Sequence, residues 1–424
     1  MLRFAKSATL EAHLRRVAPL GNLDLVQFGD VLYYVLVEQP HQHITTFTVK
    51  DLGCRGYIKS YLRHDDTNEE EGGPPGQRYL LEYRHLCEKV RLLRGALLLY
   101  RNNKSLVCLS RWQEQKRIRN VPLRSYPGSI ADFENAVGAP LPPLTCRVSG
   151  SLWRAACRCL KTFTKPEANL DVLARSNEPL LLQSRGEELT LSSSYRGQLQ
   201  TPIVCRLKTT GELTAEPTTI PLSGKFIQRL VLAGGDVVEL GYADGVFGLR
   251  STDLECTSLT QKTEDYICQL HSLFIDKLEL VAERFVRVGE TQEAVMSSKP
   301  EAVNGDSLCL VESEDGNLHL FPETNLYGED DTLVVVQPHP NNQGKWQPVL
   351  VMYEYLAAAW QVLAQFLFQL QLPVDLQPLG SFALLKRSDQ YVLRMGIDSP
   401  NASLWIYLRV VPAVQALDAL DINE

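Results

Sequence analysis

SGSLWRAACRCLKTFTK (Ser149–Lys165) reads as a helix, and EPLLLQSRGEELTLSSS (Glu178–Ser194) behind it reads as a hairpin of two strand-period runs. The succession then repeats, with Lys225–Leu232 as a second helix and VVELGYADGVFGLRS (Val237–Ser251) as a second hairpin. Helix followed by antiparallel strands recurs about six times along the chain, and the units pair into three blocks of roughly 120–160 residues. That order predicts an α+β fold rather than a doubly wound parallel sheet.

The flanking blocks follow the same grammar. In the first, Leu10, Leu14 and Val17 share one side of a short helix that Pro19 closes. Strand-like runs follow at Leu23–Phe28, Val31–Glu38 and Ile44–Val49. The acidic, Gly/Pro-rich insert HDDTNEEEGGPPGQ (His64–Gln77) is expected to be an exposed, mobile loop. A helix at Arg84–Gly95 and a hairpin at Ala96–Ser110 complete the block, and GAPLPPL (Gly138–Leu144) reads as the linker to the next. The third block is expected to open with a long helix, Asp265–Val288, and a loop, Gly289–Gly305. The hairpin Ser307–Phe321, the strand Thr332–Pro338, a helix at Glu354–Leu370 and three strands ending at Val411 follow.

The chain of 424 residues is 44% hydrophobic and 22% charged, ordinary values for a globular protein. Its most apolar stretch, Val349–Leu372, is broken by Glu354, Gln361, Gln365 and Gln369, so it predicts a buried helix and no membrane span. With no apolar signal-peptide core at its start, the chain is expected to be cytoplasmic. Ten scattered cysteines without a CxxC pair read as free thiols in a reducing compartment. Net charge is −7 but uneven: residues 1–250 carry 33 Lys and Arg against 25 Asp and Glu, and residues 251–424 carry 10 against 25. Such asymmetry fits a polyanion partner for the basic part or head-to-tail association of unlike ends.

The helices carry the sharpest local signal. Leu152, Ala155, Ala156, Cys159, Leu160 and Phe163 form one apolar face, and Arg154, Arg158, Lys161 and Lys165 form a basic stripe opposite. Like charges on one face repel unless an anion is present. Taken alone, the stripe fits a solvated helix face. Repetition adds a second reading, because Arg84 with Arg91, Lys225 with Arg229, and Arg15 with Arg16 put cations on the other early helices. Together they suggest a surface that reads the backbone of duplex nucleic acid without base specificity. The third block breaks the pattern: its first expected helix mixes Lys277, Arg284 and Arg287 with Asp276, Glu279 and Glu283, and its second exposes a stripe of Gln361, Gln365 and Gln369 but no Lys or Arg.

With these features the chain resembles the bacterial β sliding clamps, the rings that tether DNA polymerase to its template. GEELTLSSSYRGQL (Gly186–Leu199), TEDYICQL (Thr263–Leu270), DSPNASLWI (Asp398–Ile406) and VVPAV (Val410–Val414) match short clamp segments in order and spacing. The resemblance implies three tandem clamp-like domains, 1–137, 145–262 and 263–414, with a tail at 415–424. It further implies a head-to-tail homodimer whose helices line a pore, and client peptides (polymerase among them) docking beside Tyr195, Arg196, Val411, Pro412 and Ala413, with Asp398–Ile406 near. The acidic third block and the extra tail QALDALDINE (Gln415–Glu424) keep open an alternative, a clamp-derived protein-binding scaffold that does not encircle DNA.

Enzyme chemistry finds no support. No GxxxxGK[ST], GxGxxG or HExxH occurs, and Ser193 and Ser194 beside Tyr195 make no nucleophile elbow. His41 and His43 lack a third ligand at metal-site spacing, and Asp65-Asp66 and Asp330-Asp331 fall in expected loops. No cofactor, metal or catalytic residue is expected.

Overall fold

A computed structural model describes residues 1–18, 34–51, 56–64, 73–113, 116–126, 128–136, 139–163, 179–196, 200–223, 226–260, 277–298, 307–322, 332–370, 372 and 377–413. The first stretch of chain forms β1 (Leu2–Phe4), α1 (Ser7–Arg16), β2 (Tyr34–His41), β3 (Ile44–Asp51), β4 (Gly56–Arg63), β5 (Gln77–Glu82), α2 (Tyr83–Leu93), β6 (Leu97–Arg101), β7 (Val107–Gln113), β8 (Lys116–Pro122) and α3 (Ile130–Ala136). The second forms β9 (Cys146–Ser149), α4 (Gly150–Phe163), β10 (Pro179–Arg185), β11 (Glu188–Arg196), β12 (Gln200–Lys208), β13 (Thr218–Ser223), α5 (Ile227–Leu230), β14 (Val237–Ala243), β15 (Val246–Arg250) and β16 (Leu254–Leu259). The third forms β17 (Glu279–Val286), α6 (Val288–Ser297), β18 (Ser307–Glu312), β19 (Leu318–Pro322), β20 (Thr332–Val334), β21 (Gln343–Gly344), β22 (Val349–Met352), α7 (Tyr353–Leu370), β23 (Gly380–Arg387), β24 (Gln390–Asp398) and β25 (Ala402–Pro412).

The expected α+β architecture is present, with a sharper repeat than the sequence suggested. A strand runs directly into each of six helices, at β1–α1, β5–α2, β9–α4, β13–α5, β17–α6 and β22–α7. This order corrects the third block. Glu279–Val286, expected as the end of a long helix, is a strand paired with β23, and the expected loop after it contains α6. The reason is physical: Glu283 and Arg284 look like a polar helix face in sequence, yet both are buried and ion-paired, to Arg394 and Glu312. The expected strand Leu23–Phe28, most of the acidic insert, the segment Asp265–Phe274 and the tail lie outside the described residues.

The chain divides into two compact units, Met1–Gly150 with Gln228–Thr260, and Ser151–Ile227 with Gln261–Glu424. The first unit holds a four-stranded sheet, β1-β6-β7-β8, and an eight-stranded sheet, β5-β2-β3-β4-β16-β15-β14-β9. The junction β4–β16 joins strands of the first and second stretches of chain, with Leu254 opposite Ser60 and Glu255 opposite Lys59. A row of alternating charge crosses it: Arg147, Glu239, Arg250, Glu255 and Lys59 stand opposite one another on β9, β14, β15, β16 and β4. Arg147 pairs with Glu239 at 3.0 Å and Arg250 with Glu255 at 2.9 Å. A register slip would put like charges or opposite faces together, so the row fixes the junction. The expected linker is seated here too, because Pro142 and Pro143 fill the space that side chains at Gly248 and Gly241 would take.

In the second unit β25 is central, bonded to β24 over Ser403–Val410 and to β12 and then β22 on its other side. α4 buries Trp153, Ala155, Ala156, Cys157, Cys159 and Leu160, a wider apolar face than the sequence pattern marked. Cys159 lies against α7, its thiol 3.9 Å from the Val362 carbonyl, and burial pushes that thiol up to about 12.

One buried group makes stability pH-dependent. His13 of α1 shares a 2.8 Å hydrogen bond with Ser60 and stacks on Phe47. Burial lowers its pKa to about 4, with Arg16 and His64 adding to the effect and Asp253 opposing it. The unfolded chain takes up this proton near the ordinary histidine value and the folded chain does not. The neutral-His contribution is therefore full above about pH 6.5 and is lost as pH falls toward 4, about 3 kcal/mol in all. In urea titrations at pH 7 and 4.5, His13→Gln should lose about 2–3 kcal/mol less than the wild type across that interval.

Candidate nucleic-acid interface and client-binding edge

α1 and α2 pack side by side in the first unit, and their outer faces carry cations. Arg15 and Arg91 are exposed and converge on one carboxylate, Glu11, at 2.7 and 3.0 Å. Hydrogen bonds from Arg15 and then Arg91 hold Glu11 below the usual carboxylate range. Arg84 is exposed one turn before Glu88, 3.4 Å away. Two guanidinium groups on one carboxylate leave net positive charge, which solvent and mobile anions screen.

α4, in the second unit, contains no acidic residue and carries Arg154 and Arg158 on its less buried side. Lys161 lies on the same helix, while Lys165 and Lys225 lie outside the described residues. Arg229 is placed differently from expectation. It is only 3% exposed, and its guanidinium donates to the carbonyls of Arg16 (3.1 Å) and Ala18 just beyond α1. The Tyr83 hydroxyl donates to the Leu14 carbonyl at 2.8 Å, so two side chains cap the negative end of α1. Arg229 is thus a capping residue inside the first unit and not part of a solvent-facing stripe.

The helices of the third stretch differ in chemistry. α6 exposes Glu290 and Glu293 and contains no Lys or Arg. Glu354 is the one charged residue of α7, which exposes Gln361, Gln365 and, at 82%, Phe368. The uneven distribution expected from sequence is therefore real, although Arg284, counted there among helix cations, is buried in β17.

The expected client residues gather at one end of the second unit's large sheet. β12 bonds β25 from Leu207–Ala402 to Ile203–Ile406, and β22 bonds β25 at Val349–Pro412 and Leu350–Val411. Between those two pairings Tyr407–Val410 bond only to β24, which leaves one backbone edge open among the described residues. The paired ends of β11 and β12, with Tyr195 opposite Thr201 and Arg196 opposite Gln200, lie at the same end of the β12–β25 pair as this opening. Val411 is exposed beside it, and Ala413 is buried against Cys309 and Leu350. The Asp398–Asn401 turn is elsewhere, at the far end of β25, where Lys208 N–H donates to the Asn401 carbonyl at 2.9 Å. Most of the eleven-residue strand β25 separates it from Val411–Ala413, so that expected neighbour is not brought to the site. Arg409, exposed on the open stretch, belongs with the site and carried no motif signal.

Among the described residues no group of three or more His, Cys, Asp or Glu is placed to hold a metal ion, and no helix is long and apolar enough to cross a membrane.

No protein-family model matches the chain, and no curated protein sequence matches it. Solved structures do match in shape. The DNA polymerase sliding clamp of Bacillus subtilis superposes with a TM-score of 0.64 at 11% identity, covering 96% of this chain and 98% of that one. The DNA polymerase III subunit beta of Pseudomonas aeruginosa gives 0.63 at 14% identity over 96% and 99%. The beta subunit of Thermotoga maritima gives 0.63 at 14% over 96% and 98%. The chain has the fold of the bacterial sliding clamps across its length.

Proposed function

We propose that this protein is a non-enzymatic, sliding-clamp-like factor that closes as a head-to-tail homodimer around duplex DNA and tethers polymerase or other clients to it. The observation that carries the reading is the set of arginines on the less buried sides of α1, α2 and α4, helices whose other sides are buried, in a chain of clamp fold. These groups suit phosphates and carry no base-reading geometry. Clients would dock as short peptides at the paired ends of β11 and β12 and the open stretch of β25, near Tyr195, Arg196, Val411, Pro412 and Ala413. Three domains, 1–137, 145–262 and 263–414, are the corresponding division of the chain.

Two strand edges support closure. β8 ends its sheet with Lys116, Arg117, Ile118 and Arg119 exposed. β20 ends another with Leu333 exposed, preceded in sequence by Glu329, Asp330 and Asp331. A basic open edge, and an open edge whose strand follows an acidic run in sequence, suit pairing between copies. The test combines a clamp loader with closed circular and linearised duplex. Salt-resistant retention on the circle alone is expected, and equal loss from both would refute encirclement. A scaffold that binds protein and not DNA is the second reading, favoured by the cation-free faces of α6 and α7. An obligate monomer of 47.6 kDa in solution would support it.

A further inference from the structure

On β2 and β3 alternate residues face opposite sides: Val35, Val37 and Phe47 lie toward α1, and Leu36, Glu38, Thr46 and Thr48 toward the outer face. α3 covers that outer face. Phe133 packs on Leu36 and Leu80, and Arg78 ties Glu134 of α3 to Glu38 of β2. Beneath α3 lies a cavity of about 150 Å³, room for about five waters, lined by Leu36 and Thr48 of the sheet and Phe133 of α3.

Its polar groups are unevenly satisfied. Thr48 is 7% exposed and its hydroxyl has no partner among the described residues; nor has that of Thr46, two residues back and fully buried. An orphaned buried hydroxyl costs about 1–3 kcal/mol unless something enters to bond it. Glu38 and Glu134 each give one oxygen to Arg78, and the other oxygen of each has no bond among the described residues. Glu255, on the opposite wall, is saturated: Tyr57 donates to one oxygen, Tyr61 and Arg250 to the other. Lys59 is the one cation in the lining, and its ammonium lies 5.9 Å from the centre of the Tyr61 ring. The cavity therefore offers acceptors in excess over an apolar floor, which suits several donors on an aliphatic stem.

We propose that this cavity is a socket for an alkylammonium group, either a lysine side chain presented by a protein partner or a free polyamine. The ammonium would sit among Glu38, Glu134 and Thr48, with its methylenes on Leu36 and Phe133. Lys59 weakens the site by like-charge repulsion, so the proposal has consequences in both directions.

The test uses the full chain with methyl-labelled threonine, titrated with N-acetyl-lysine amide and, separately, with spermidine. The Thr48 methyl signal should shift saturably with at least one of them. Glu134→Gln, at an exposed position on α3, should raise the apparent Kd about tenfold through loss of a charge-assisted bond. Lys59→Gln should lower it. Saturation by lysine amide assigns the socket to a protein partner, and saturation by spermidine alone assigns it to a polyamine. A Thr48 signal that ignores both amines, or that responds equally in Glu134→Gln, would overturn the proposal and leave a water-filled cavity.

Discussion

Replacing Arg154 and Arg158 of α4 with glutamate will weaken binding to nonspecific duplex DNA by about tenfold to a hundredfold at physiological salt. The slope of log affinity against log salt will fall by about one unit for each cation that no longer neutralises a phosphate. Both residues are on the less buried side of a helix whose opposite side packs Trp153, Ala156, Cys157 and Leu160, so the fold should survive the change. Arg229→Gln is the discriminating control. Sequence places Arg229 in the same class of helix cations, whereas the structure buries it under the carbonyls of Arg16 and Ala18. It should lower the thermal midpoint and leave the salt slope unchanged. An unchanged slope in the α4 variant would remove DNA contact from this helix and favour the scaffold reading.

The contrast between Arg158 and Arg229 shows what the sequence could and could not disclose. Period and order were enough for the fold class, because each helix hides an apolar stripe and each hairpin alternates. Turns were legible as well: Gly186, Asp244 with Gly245, and Gly316 all take positive φ at the tips of expected hairpins. Long-range pairing was not legible. Whether an arginine on an amphipathic segment meets solvent or a distant carbonyl depends on contacts more than two hundred residues apart, as with Arg229 and Arg16. The same limit hid β17, whose Glu283 and Arg284 mimic a helix face until their partners Arg394 and Glu312 are known. The repeat held the missing signal, since a strand leading straight into the helix at every other unit demanded one before α6. The motif residues of β11 and β25 share one end of the sheet. Asp398 fails to join them because β25 runs eleven residues from that turn to Pro412.

Arg284→Met should be the most destabilising single change in the second unit, by about 3–5 kcal/mol. The guanidinium donates to Glu312 at 2.5 Å and to the carbonyls of Glu283, Gln343 and Gly344 at 2.8, 2.7 and 3.0 Å. It thereby holds β21 against β17, where Gly344 has φ +73° and leaves no room for a Cβ beside the Val281 carbonyl. Glu312 also accepts from the Trp346 backbone at 3.4 Å, and the indole N–H of Trp346 reaches the Leu310 carbonyl at 3.3 Å. Removing the guanidinium leaves the half-buried Glu312 carboxylate without its partner and three carbonyls short of a donor. Removing both charges, in Arg284→Met with Glu312→Met, should recover most of the loss, because an apolar pair needs no compensation. Urea unfolding followed by tryptophan fluorescence measures each variant. A single-variant loss below about 1 kcal/mol would mean that solvent already screens this pair. β18, which carries Glu312, also bonds β22 and so supports the Val411–Ala413 end of β25. On the proposed function, loosening the network should weaken client peptides at the open edge and leave the DNA salt slope unchanged.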